Sequence, residues 1–170
     1  MKYNFIYYLG GWGPCILIFV GMLALYKTPT YLGLFAAGSI LNLLINYILK
    51  GILKQPRPNE KEHLINLEQR YKEILNFGRY GMPSGHTQSA IFSTAFVFMV
   101  TRDMKLLVLF SSITLITMYQ RVKENFHTIN QVIMGVGVGY LVAVFFFLYT
   151  KKTLQGKVKA KLDDNYFGLI

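Results

Sequence analysis

Three short stretches hold most of the residues in this chain that are able to do chemistry. They are Lys50-x6-Arg57-Pro58, Pro83-Ser84-Gly85-His86 and Arg121-x5-His127. Lys50, Arg57 and Arg121 are three fixed cations, and arginine offers planar paired donors that match phosphate oxygens. Ser84 and Gly85 stand at a predicted helix start, where unpaired backbone N–H groups and the helix dipole favour an anion. Two histidines, His86 and His127, accompany the cations. With two imidazoles, one attacks phosphorus while the other protonates the leaving oxygen. The chemistry indicated is phosphoryl transfer to water, with the cations stabilising the transferring group. No cluster of carboxylates or further histidines accompanies the motifs, so no metal and no cofactor is required. The single cysteine, Cys15, excludes an internal disulfide framework and any multi-cysteine metal site. His63 lies on a charged segment and joins no motif.

The elements that must position these stretches are apolar. The chain has 170 residues, 53% hydrophobic and only 15% charged, with a net charge of +10. Soluble chains carry about 25% charged residues. Here no Asp, Glu, Lys or Arg occurs from Tyr3 to Tyr26, Thr28 to Leu49, Tyr80 to Thr101, Leu106 to Gln120 or Thr128 to Thr150. A helix needs roughly 20 apolar residues to cross a bilayer. The expected fold is therefore all-α, a polytopic transmembrane helical bundle of about five spans, near 5–26, 31–50, 84–101, 104–121 and 128–150, forming one domain over 1–150. The fourth charge-free run is short, so Arg121 is placed at membrane depth. A buried arginine there is costly unless it serves a polar site. Gly10, Gly11, Gly13 and Pro14 interrupt the first span and predict a kink; no small-residue cleavage site follows, so a retained helix is expected over a signal sequence.

Between the second and third spans, Asn59 and Glu62 form a capping pair. Leu64, Leu67, Tyr71, Ile74 and Leu75 then recur at helical spacing, predicting an amphipathic surface helix over 59–77. A basic tail, 151–170, closes the chain. In an alternating bundle the second span ends, the third begins, the fourth ends and the fifth begins on one side of the membrane. The three motifs therefore converge although about 70 residues separate the first, at Lys50, from the last, at Arg121. Asn42, Asn46 and Lys50 make a polar stripe on one helix face, as do His127 and Gln131 on another, continued by Gly135 and Gly139.

The three stretches, in order, resemble the type 2 phosphatidic acid phosphatase superfamily, whose pattern is K-x6-R-P, P-S-G-H and S-R-x5-H-x3-D. The resemblance covers about Lys50 to Gln131. It implies a helical membrane bundle of the PAP2/vanadium-chloroperoxidase-like type and metal-independent hydrolysis of a lipid phosphate. It also implies residue roles: Lys50, Arg57, Ser84, Gly85 and Arg121 as phosphate ligands, His86 as general acid, and His127 as the nucleophile that forms a phosphohistidine. Two positions depart from the pattern, Gln120 for Ser and Gln131 for Asp. The segments Tyr80-Gly-Met-Pro-Ser-Gly-His-Thr-Gln88 and Phe126-His-Thr-Ile-Asn-Gln-Val132 look like the dolichyl-diphosphatase branch, which carries Gln in the Asp position.

That branch implies a polyprenyl (dolichyl) diphosphate substrate and the endoplasmic reticulum membrane, with a lumenal site. Ten basic residues fall on the site-bearing side of the membrane and eight on the other, and three of the ten are the proposed ligands. The remaining seven against eight lean slightly towards a cytoplasmic C-terminal tail. Phosphate binding and topology account for the positive charge without nucleic acid. Two alternatives stand beside this reading: a phosphatase of phosphatidate-like lipid monophosphates, and a catalytically silent membrane scaffold, for which the neutral Gln131 speaks.

Overall fold

The computed structural model describes residues 5–58 and 79–155. The amphipathic segment expected over 59–77 and the tail beyond 155 lie outside the described residues. Among the described residues there are five α-helices and no strand: α1 (Phe5–Ala24), α2 (Pro29–Leu53), α3 (Gly85–Thr101), α4 (Met104–Lys123) and α5 (Ile129–Gln155). They fall where the charge-free runs placed them. α1 runs unbroken through Pro14.

The helix ends follow local chemistry. Pro29 occupies the first turn of α2, where its missing N–H costs nothing. α2 stops at Lys54, which is left-handed (φ 46°) and returns its N–H to the Lys50 carbonyl. α3 ends the same way at Arg102, φ 53°. Asp103 then caps α4 by accepting from the backbone N–H groups of Lys105 (2.7 Å) and Leu106 (3.3 Å). So short a connection forces α3 and α4 antiparallel.

α3 is the central helix and packs against each of the other four. At 17 residues it reaches only about 25 Å. Its buried face carries Thr87, Gln88, Ser89, Ser93, Thr94 and Thr101 as well as Phe92, Phe96 and Val97. Three helices are long and apolar enough to cross a membrane by length and composition: Phe5–Ala24, Pro29–Leu53 and Ile129–Lys152. α3 and α4 fall short of that measure although five spans were expected. The reason is physical: a helix wrapped by other helices need not be apolar, because its hydroxyls and amides find partners inside the bundle. The Thr94 and Thr114 hydroxyls, 2.9 Å apart between α3 and α4, are one such pair.

Away from the motifs the core is aromatic. Phe35 of α2 lies 5.6 Å from Phe92 and 5.5 Å from Phe96 of α3, ring centre to ring centre. Phe146, Phe147, Leu17 and Val100 close around them. α5 approaches α3 through glycines: a side chain on Gly135 would come within 2.7 Å of the Ser84 carbonyl, and one on Gly139 would overlap the Gln88 carbonyl. The long apolar faces of α1, α2 and α5, with Phe19, Leu23, Leu43, Leu44, Leu141 and Phe145, point outward. That is the pattern of an integral membrane protein, whose outer surface meets lipid.

Candidate active site

The ends of α2 and α4 and the starts of α3 and α5 meet at one end of the bundle, as the alternation required. Below Lys50, the stripe on α2 is an amide clamp. Asn46 donates to the Pro83 carbonyl (3.1 Å) and to Gln88 Oε1 (2.8 Å). Gln88 donates in turn to the Asn42 carbonyl (2.8 Å) and Asn42 Oδ1 (2.9 Å). A fully buried amide whose bonds are all made fixes register in a way apolar contacts do not. The clamp sets the start of α3 against the last turns of α2. Gly85 faces the same amide: a side chain there would lie 3.0 Å from Asn46 Oδ1.

Beyond α2, residues 55–58 run along the segment 79–81. The Gln55 carbonyl accepts the Gly81 N–H (2.7 Å), and Arg57 Nε donates to the Arg79 carbonyl (3.1 Å). The Met82–Pro83 peptide is cis. Ser84 then opens α3, buried, with its N–H on the Gln131 carbonyl (2.9 Å) and its hydroxyl accepting from Thr87 (3.1 Å). It makes no side-chain cap to the helix it opens.

Arg121 ends α4 buried, with its guanidinium 4.9 Å from the Phe126 ring. Its carbonyl accepts the N–H groups of both Phe126 and His127 (3.1 Å each). That tight return, with Asn125 left-handed at φ 54°, brings His127 back beside the arginine. Arg121 Nε is buried without a hydrogen-bond partner among the described residues. Neither Lys50 nor Arg121 has a carboxylate partner among the described residues. Buried cations left so are costly, and an anion entering between them relieves the cost.

Gln131, fully buried at 0% exposure, is the hub. Its Oε1 faces His127 Nδ1 (3.1 Å) and accepts the Thr128 N–H (3.2 Å). Its Nε2 donates to the Pro56 carbonyl (2.8 Å) and to Gln55 Oε1 (3.1 Å). Both ends of the amide are therefore unambiguous: a backbone N–H needs the oxygen and a backbone carbonyl needs the NH2 group. Because Oε1 only accepts, Nδ1 of His127 holds the ring proton, and Nε2 carries the lone pair. A carboxylate at this position would turn an acceptor towards the Pro56 carbonyl. Here the amide is what the surroundings demand, and Gly81 makes room for it, since a side chain there would sit 2.5 Å from the amide.

The charges converge. Burial, and then the charges of Arg57, Lys50 and Arg121, push His127 down to about 4, against the opposing hydrogen bond from Gln131. At neutral pH its ring is the free base, the form able to attack phosphorus. His86, half-buried at the start of α3, lies within electrostatic reach of Arg121, His127 and Lys50. The structure thus gathers Lys50, Arg57, Ser84, His86, Arg121, His127 and Gln131 at one end of the bundle. Gln55, Gly81 and Gln88 build the site without having been singled out as site residues. Their advance signal was their place within the motif segments, Gly81 and Gln88 in Tyr80–Gln88 and Gln55 between Lys50 and Arg57.

A protein-family model described as the PAP2 superfamily matches residues 31–155 of the chain. Among curated proteins, dolichyldiphosphatase 1 of Plecturocebus moloch is 27% identical over 161 residues, covering 84% of this chain and 63% of that protein. Dolichyldiphosphatase of Saccharomyces cerevisiae is 27% identical over 122 residues, covering 66% and 48%. Lipid A 4'-phosphatase of Porphyromonas gingivalis is 27% identical over 142 residues, covering 77% and 59%. The chain spans less than two thirds of the length of these relatives. No solved structure gives a significant match.

Proposed function

The chain belongs to the PAP2 superfamily, and on that premise we propose that it is an integral membrane phosphatase that removes the terminal phosphate of a polyprenyl diphosphate. Supporting this above all are two buried cations, Lys50 and Arg121, without carboxylate partners among the described residues, set beside a neutral histidine whose tautomer is held by Gln131. Such a site is built to receive a multiply charged anion at the membrane surface while a lipid tail stays outside the bundle.

In this reading Lys50, Arg57 and Arg121 bind the terminal phosphate, joined by the start of α3 at Ser84 and Gly85. His127 Nε2 attacks phosphorus, forming the P–N bond as the bridging P–O bond breaks. His86, protonated once the anion is bound, delivers a proton to the departing lipid monophosphate and becomes neutral. Water then cleaves the phosphohistidine, giving up a proton to His86 and restoring the neutral His127 ring and the protonated His86 ring. Gln131 Oε1 keeps the Nδ1 proton of His127 in place while the ring becomes cationic. The site faces the lumen of the endoplasmic reticulum, with a cytoplasmic C-terminal tail.

Protein purified in detergent is expected to release phosphate from dolichyl diphosphate in the presence of EDTA. It should also carry acid-labile label after brief exposure to substrate labelled in the terminal phosphate. Full activity of His127→Ala would sink the mechanism. A second reading, a lipid monophosphate phosphatase, is favoured by the similarity to the protein named lipid A 4'-phosphatase. Relative turnover of polyprenyl diphosphate and lipid monophosphates by the same preparation separates the two.

A further inference from the structure

We infer that α1, which lies outside the family match, is a wall of the active site, and that the Gly11 backbone carbonyl orients the His86 ring. The inference rests on the proposed role of His86 as proton donor. The family match begins at residue 31, so nothing about α1 is carried over from it. Yet the His86 ring stands within hydrogen-bonding reach of the Gly11 backbone. The Arg121 guanidinium stands beside the same residue, with its Nη2 3.7 Å from where a Gly11 side chain would begin. Tyr7, one turn earlier on α1, lies within electrostatic reach of Arg121.

The sequence of α1 accounts for this approach. A side chain on Gly10 would come within 2.5 Å of Gln120 Cβ, and one on Gly13 would overlap Thr117 Oγ1. Both glycines therefore let α1 lie directly on α4. Pro14 has no N–H, so the Gly10 carbonyl, one residue before Gly11, lacks its helical donor. Packing explains the small residues at Gly10 and Gly13. It does not explain why the first helix presents its backbone to the histidine of the third predicted span.

The consequence is chemical. A carbonyl only accepts, so the His86 nitrogen facing Gly11 keeps its proton throughout, and the other nitrogen takes up and gives off the proton that passes to the substrate, the ring alternating between the cation and one neutral tautomer. The two histidines are then held by the same device: His127 by the side-chain carbonyl of Gln131, His86 by the main-chain carbonyl of Gly11. Gly11 is a positioning residue, since it acts through His86.

The test uses the full chain in detergent, labelled with ¹⁵N-histidine and assigned with His63→Gln and His127→Gln. Wild type is expected to show one neutral tautomer for His86. Gly13→Ala, which drives α1 off α4, should show mixed tautomers for His86 with an unchanged His127 signal. Gly13→Ala/Thr117→Ala, which removes the overlap, should restore the single tautomer. Turnover follows the same pattern. Gly13→Ala should slow polyprenyl diphosphate, whose departing lipid monophosphate takes its proton from His86, on the order of tenfold more than p-nitrophenyl phosphate, whose leaving group departs unaided. Should Gly13→Ala fail to fold, Pro14→Ala closes the Gly10 hydrogen bond, and the same tautomer change is expected. An unchanged His86 tautomer in the variant that folds, or equal losses on the two substrates, overturns the inference. A wild-type chain inactive on every phosphate ester but showing the expected tautomers would remove the functional reading and leave the Gly11–His86 contact standing.

Discussion

α2 and α3 meet twice, and the two meetings are made of different material. Towards the middle of the bundle, Phe35 lies against Phe92 and Phe96. At the site end, Asn42 and Asn46 interlock with Gln88 and the Pro83 carbonyl. The aromatic contact is large and non-directional, and a small slip between the helices would cost it little. The amide contact is small and directional, and a slip of one residue would break most of it. Stability and register are thus divided along the same pair of helices, and register is enforced where the chemistry needs it.

Substitutions at the two ends should therefore fail in different ways. Phe92→Ala is expected to have the largest effect on stability, on the order of 3–5 kcal/mol. Turnover of the fraction still folded at low temperature should be close to wild type. Thermal unfolding in detergent, paired with phosphate release, reads both.

Arg121→Ala should do the reverse. Its loss of turnover is expected at about 10²–10³-fold, as for removal of a group that stabilises transition-state charge. Its unfolding temperature should hold or rise, because a buried cation without a carboxylate partner has been removed. A marked fall in stability would show that Arg121 is part of the scaffold and would erase the contrast.

Gln131→Glu sits between the two. The shape is kept, but one oxygen now faces the Pro56 carbonyl and Gln55, at a cost of about 1–3 kcal/mol. A carboxylate beside Nδ1 should also raise His127 from about 4. Histidine NMR during acid titration checks this. In wild type the sign is clear: the folded value lies below the unfolded value of about 6.5. The neutral His127 ring therefore supports the fold fully above that value, and its contribution is lost as pH falls from there through about 4. The glutamate variant should narrow that window.

Ser89→Ala marks the lower bound of the amide region. Its contact with Asn42 is 3.5 Å, at the limit of a hydrogen bond. Its effect on unfolding temperature should correspond to less than about 0.5 kcal/mol. A larger effect would mean that the clamp extends further along the helices than Gln88.

Much of this was legible without coordinates. Charge-free runs reveal helices because a charge in hydrocarbon is expensive wherever it falls, so the five helices could be read directly. Alternation of the spans then brought Lys50, Arg57, Ser84, His86, Arg121 and His127 to one side. Length and composition, however, qualify three helices as spans, and only the packing shows why Gly85–Thr101 tolerates its polar residues. The Gln131 substitution was the least legible feature. Read alone, it is a missing charge and an argument for a silent scaffold. In place, its NH2 group meets the Pro56 carbonyl and Gln55, which only an amide satisfies without a proton.

The first helix shows the same division. Gly10, Gly11, Gly13 and Pro14 read as a weakness in a span, because sequence reports the cost of these residues but not what they face. Their partners, Gln120, Thr117, Arg121 and His86, lie between 75 and 110 residues away along the chain. Sequence by itself determined the helices, their alternation and the chemical identity of the site, because these depend on local composition and on the bilayer. The tertiary structure decided which carbonyl holds which imidazole, because a hydrogen bond depends on where two distant backbones come to rest.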